Sequence, residues 1–141
     1  MTKDLASCII LHEGYKKYAY LDSRESLTIG IGRNIDSKSG KGLSDDEIMY
    51  LFKNDIKSCE IQLMKLDFYK GQDIVRKEAL IELCFNLGLS GLLKFHKMLN
   101  ALVIKDYEKA IMELKNSLWA TQVQEERVKN ICSRLLTGSY Q

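Results

Sequence analysis

Apolar residues fall at helical spacing from the start of the chain. Leu5, Cys8, Ile9 and His12 share one face of residues 3–12, and Glu13-Gly14 closes that helix, since glycine is the favoured residue just past a helix end. The pattern then changes. "KYAYL" and "LTIGIGR" are rich in aromatic and β-branched residues and flank the polar stretch "DSRES", which predicts a hairpin. Gly30 and Gly32 weaken the second strand unless something approaches its backbone closely. Ser44 and Glu47 have the spacing of a capping box ahead of a long amphipathic stretch. Leu43, Ile48, Leu51, Phe52, Ile56, Cys59 and Leu63 form its apolar face, predicting a helix over 44–64 of about 30 Å. The remainder reads as helices without strands. Asp73 caps one that stops at Gly88, Ser90 precedes a shorter helix or pair, Asp106 caps another, and the last stops at Gly138.

This order predicts an α+β fold, mostly helical, in one domain with two lobes. A small β-containing lobe occupies about 15–42, residues 44–64 connect, and a helical lobe runs over about 66–141, with helix 3–12 packed back on it and a cleft between the lobes. The 141 residues carry a net charge of +2, too little to mark a nucleic-acid binder. No apolar stretch reaches the roughly 18 residues of a membrane span. The short apolar run near the N-terminus has acids on both sides, unlike a secretory signal. Cys8, Cys59, Cys84 and Cys132 lie on apolar stripes and read as buried core residues of a protein made in a reducing cytoplasm. His12 and His96 have no ligand spacing to any of them, so neither metal nor cofactor is expected.

The candidate chemistry sits in residues 11–33. Cleavage of a glycosidic bond needs one carboxylic acid to protonate the leaving oxygen and a carboxylate on the other face of the sugar. Glu13, after Ile9, Ile10 and Leu11 on a helix expected to pack on the core, suits the shielded acid; Asp22, in a polar turn, suits the ionised partner. The Thr28 hydroxyl can donate to Asp22 and accept from a water. Taken singly, Glu13 also reads as a solvated helix-end acid, Asp22 as a turn former and the two glycines as a bulge.

Helix–Glu-Gly, then Tyr-x-Asp, then Leu-Thr-Ile-Gly-Ile-Gly resembles the active-site segment of the phage-type lysozymes, glycoside hydrolase family 24. "CFNLGLSGLLKFHKMLNAL", "SLWATQV" and "ERVKNICSRLLTGSY" extend the resemblance over nearly the whole chain. It implies a single lysozyme-like domain over 1–141 that cleaves peptidoglycan glycan strands as a muramidase, with Glu13 as general acid, Asp22 as second carboxylate and Thr28 positioning water. It further implies Phe85 and Asn86 as sugar contacts and Arg127 near the catalytic glutamate. The expected molecule is a monomer without nucleic-acid or membrane partners, released to the wall through a holin or similar route. A lytic transglycosylase and a non-catalytic wall-binding domain are the alternatives. Two positions depart from the family: Arg33 stands where many members have histidine, and Glu25 where the turn usually has glycine.

Overall fold

The computed structural model describes residues 2–140. The elements run α1 (Lys3–Glu13), β1 (Lys16–Leu21), β2 (Leu27–Gly30), β3 (Arg33–Asn34), α2 (Asp45–Leu63), α3 (Asp67–Lys70), α4 (Ile74–Leu92), α5 (His96–Val103), α6 (Tyr107–Lys115), α7 (Leu118–Gln122) and α8 (Glu125–Thr137). The chain divides into two compact units, one up to Leu51 and one from Phe52 onward, so α2 contributes to both.

In the first unit the strands form an antiparallel sheet in the order β1-β2-β3. Tyr20 faces Thr28 across the first pair, and Thr28 faces Asn34 across the second. "LTIGIGR" is therefore not one strand. β2 ends at Gly30, and the chain turns through Ile31 and Gly32 into β3. Gly30 and Gly32 have φ of +69° and +70°, a left-handed backbone that glycine adopts without the Cβ penalty.

The sheet is tied to α2 through one side chain. Arg33 grips Glu47 with two parallel hydrogen bonds of 2.8 and 2.6 Å and also donates to the Gly42 carbonyl at 3.1 Å. Glu47 meanwhile completes the capping box, accepting from the Ser44 N–H at 2.8 Å while its own N–H donates to Ser44 Oγ at 3.3 Å. Arg33 therefore joins β3, the helix cap and the preceding loop through one guanidinium.

The second unit is a helical core. Leu63, Leu80, Leu83, Leu92, Met98, Leu102, Leu114, Ile131 and Leu135 are all but inaccessible to solvent. α5 packs on α3 and α6, while α8 packs on α4 and α6. The Asp73, Asp106 and Ser117 side chains cap α4, α6 and α7 by accepting backbone N–H bonds, and Gly138 ends α8 in the left-handed region. Gly88 (φ 71°, ψ 161°) breaks the helical backbone inside α4, so the predicted stop is a kink. Arg76 donates to the carbonyls of Leu135 and Leu136 at 2.8 and 2.7 Å, satisfying acceptors at the end of α8. Buried Gln72 donates to the Phe68 and Leu102 carbonyls and accepts from the Tyr107 hydroxyl.

Cys59, Cys84 and Cys132 are buried as expected, but Cys8 is exposed. It lies on α1, which buries none of its residues and leaves Leu5, Ile9 and Leu11 open, so Cys8 has no core to fill.

The Arg33 guanidinium, first of all, holds the Glu47 carboxyl down to about 2 from its ordinary 4.5. A carboxyl depressed on folding stabilises the native state above its unfolded value, and that contribution disappears as pH falls through the folded value. Urea midpoints followed from pH 5 to about 2 should therefore fall more steeply in the native protein than in Glu47→Gln. Parallel curves would show that the pair adds nothing.

Candidate active site

Glu13 occupies the last turn of α1, where Gly14 (φ 84°) ends the helix and donates its N–H to the Ile10 carbonyl at 2.8 Å. The glutamate is exposed, which corrects the expectation of a shielded acid: a helix with no buried residue offers no apolar wall. Its carboxyl instead lies against the β2–β3 turn. A Cβ added to Gly32 would stand 2.6 Å from Glu13 Oε2 and 3.2 Å from its carboxyl carbon. Gly32 is thus required twice, by its backbone angle and by the acid lying over it.

Asp22 heads the β1–β2 turn. Its N–H donates to the Ser26 carbonyl, and its own carbonyl accepts from the Glu25 N–H, both at 3.0 Å. Its Oδ1 accepts from the N–H groups of Arg24 at 2.8 Å and Ser26 at 2.9 Å. The carboxylate is thereby fixed by the loop that follows it. Oδ2 receives no protein donor among the described residues. Thr28 is buried, at 3% exposure. Its hydroxyl donates to the Ser26 carbonyl at 3.0 Å, not to Asp22 as expected. The single hydroxyl proton is taken by that turn carbonyl, leaving the oxygen lone pairs to accept from water. Ser26 therefore links Asp22 and Thr28 through backbone groups, a role that no side-chain pattern could have marked.

Glu25 adopts φ +60°, a left-handed backbone that carries a cost for any residue with a Cβ. Glu25→Gly should therefore stabilise the protein by about 1 kcal/mol, relief of strain outweighing the greater freedom of glycine in the unfolded chain. Urea denaturation would measure it, and a lower midpoint would refute the strain.

The remaining candidates lie in the second unit. Phe85 is 44% exposed and meets Phe52 edge-on, with ring centroids 5.8 Å apart. Asn86 Oδ1 accepts from Trp119 Nε1 at 2.7 Å, joining an exposed residue to a buried core tryptophan. Arg127 donates to Glu82 Oε1 at 3.3 Å. Glu82 also pairs with Arg134, which is 4% exposed. Phe52, Phe85, Glu82, Arg127 and Arg134 line a groove of about 500 Å³. Glu82 carries no local signal in the sequence, since its partners are separated from it by more than forty residues. Among the described residues no group of three His, Cys, Asp or Glu could hold a metal. No described helix is long and apolar enough to cross a membrane.

The model of the family described as phage lysozyme matches residues 11–135. Two relatives from Dictyostelium discoideum match almost end to end. Probable T4-type lysozyme 2 is 30% identical over 99% of this chain and 97% of its own, and Probable T4-type lysozyme 1 is 28% identical over the same shares. The pre-baseplate central spike protein Gp5 of Enterobacteria phage T4 is 27% identical over 80% of this chain, matched within 20% of its own length. The matched span includes Glu13, Asp22, Thr28, Phe85, Asn86 and Arg127 alike, and on that breadth the chain belongs to the phage lysozyme family.

Proposed function

We propose that the protein is an endo-acting muramidase that hydrolyses the β-1,4 bond between N-acetylmuramic acid and N-acetylglucosamine in peptidoglycan, with inversion, and that it serves phage-type lysis of bacteria. A lysozyme-like glycosidase activity on peptidoglycan follows from the family. The bond, the stereochemistry and the biological role are the present reading. The observation that carries it is the fixed Asp22–Ser26–Thr28 turn, within the same unit as a Glu13 carboxyl seated against Gly32.

In this reading Glu13 is the general acid. A glycan strand laid over the exposed carboxyl would exclude bulk water from the bond that Glu13 protonates. Asp22 is the general base: with Oδ1 fixed by two N–H donors, Oδ2 is left to take a proton from water. The Thr28 oxygen accepts that water's other hydrogen. Such a water belongs to an inverting enzyme, whose carboxyl groups stand roughly 6.5–9.5 Å apart, whereas direct attack by Asp22 would need about 5–5.5 Å. Phe85 and Asn86 are proposed as sugar contacts, one offering an exposed aromatic face and the other an amide already fixed by Trp119. Arg127 is proposed as a supporting cation. A lytic transglycosylase would need neither Asp22 nor a held water.

Glu13→Gln should lower the clearing of outer-membrane-stripped Gram-negative cells by about 10²–10⁴-fold, because an amide has no proton to give. In the wild-type enzyme, proton NMR of freshly cleaved oligosaccharide should show the α-anomer first. Wild-type activity in Glu13→Gln would remove Glu13 as the acid, and anhydro-sugar products would make the protein a transglycosylase.

Gly32→Ala offers a separate test of how the acid is held. The new methyl would displace the Glu13 carboxyl by about an ångström, which costs on the order of 10²-fold in rate. The left-handed φ of +70° adds about 1–2 kcal/mol of destabilisation. Circular dichroism should show a folded protein with the slower clearing rate; unchanged clearing would mean that Glu13 works from another position.

A further inference from the structure

Two cysteines in the helical unit serve no purpose in the proposed chemistry, and both face one helix interface. Cys59 and Gln62 lie on α2 three positions apart, hence on the same side of the helix. Cys84, on α4, donates its thiol to Gln62 Oε1 at 3.8 Å, which puts its sulfur against that side of α2. Cys59 and Cys84 are 8% and 1% exposed and belong to one core cluster. Both side chains are held by helices of the same unit. No His, Asp or Glu joins them in a group able to hold a metal among the described residues, so the pair is not half of a metal site.

We propose that Cys59 and Cys84 are a latent disulfide, free as the chain folds in a reducing environment and closed when it meets a disulfide oxidant. In the balanced step, one thiolate attacks a low-molecular-weight disulfide such as oxidised glutathione and expels one glutathione thiolate. The second cysteine then attacks the mixed disulfide and expels the other. Two protons leave the protein, and the two electrons reside in the two reduced glutathiones. The product ties the second half of α2 to α4 and closes a loop from residue 59 to residue 84.

The setting also fixes when this occurs. Burial, chiefly, and the Cys59 thiol beside it push the Cys84 thiol up to about 11, so little thiolate is present in the closed protein. Attack by either thiol is therefore slow while the pair stays buried. Cys132, in α8, is likewise pushed up by burial, and Cys8 is exposed.

The test uses the full chain carrying Cys8→Ser, which removes the exposed thiol that would otherwise form mixed and intermolecular disulfides. The protein is refolded from urea at pH 8 in a glutathione redox buffer, so that burial cannot hide the thiols. It is then alkylated under denaturing conditions and mapped by mass spectrometry. The expected result is a 59–84 cross-linked peptide with Cys132 alkylated. Under non-reducing conditions the melting temperature should rise by roughly 5–10 °C, reversed by dithiothreitol and absent from a Cys59→Ala variant. Alkylation of all three remaining cysteines, or pairing that involves Cys132, would overturn the proposal. So would a 59–84 bond that lowers the melting temperature, because the native geometry would then not be the one the bond needs.

Discussion

The Glu13 carboxyl can lie against the β2–β3 turn because residue 32 has no side chain. This is a steric condition, and much of the first unit is arranged around it. α1 must stop at Glu13, which Gly14 ensures, and the sheet must turn at Gly32, which a left-handed backbone permits. Asp22 is held by an independent device, the N–H groups of Arg24 and Ser26. Asp22 therefore owes its position to backbone groups, and Glu13 owes its position to a glycine in a turn that the Arg33–Glu47 pair anchors. For Asp22 such positioning depends little on salt, because hydrogen bonds within one turn do not depend on long-range fields.

The helical unit carries its polar load differently. Arg134 is buried, and such a charge is tolerable only when paired; Glu82 supplies the pair and holds Arg127 as well. Tyr140 accepts from Arg134 and donates to Glu78, extending the same network. One hydrogen-bonding group of Arg134, Nε, has no partner among the described residues. Removing one member of such a network leaves its neighbours uncompensated, so Glu82 has more influence than its partial exposure implies.

Local features were legible in the sequence, while contacts between distant segments were not. The capping roles of Ser44, Asp73 and Asp106, the stops at Gly14 and Gly138, and the hairpin each depend on neighbours within a few residues. Gly-Ile-Gly announced that something approaches the backbone, but not that Glu13 does so. The acceptor of the Thr28 hydroxyl was not legible, because Asp22 and the Ser26 carbonyl are both near in sequence and only the strand geometry chooses between them. Cys8 shows the limit of periodicity: an apolar stripe identifies a face and says nothing about what covers it. Family resemblance brought in Phe85, Asn86 and Arg127, which no local pattern would have selected.

The two departures from the family act in opposite directions. Glu25 introduces a side chain where the backbone is left-handed, so the turn beside Asp22 is formed at a conformational cost. Arg33 strengthens the junction between sheet and α2. A histidine at that position would lose its charge near neutral pH and with it the attraction for Glu47. Arginine keeps its charge throughout, and its planar fork matches both carboxylate oxygens. Only protonation of Glu47 can neutralise the pair, and its pKa of about 2 puts that far into acid. Because Arg33 follows Gly32 directly, the residue that anchors β3 to α2 also anchors the turn on which Glu13 rests. Substituting arginine here thus removes a titration near neutral pH from the structure that supports the acid, and leaves the pH response of the site to the carboxyl groups themselves.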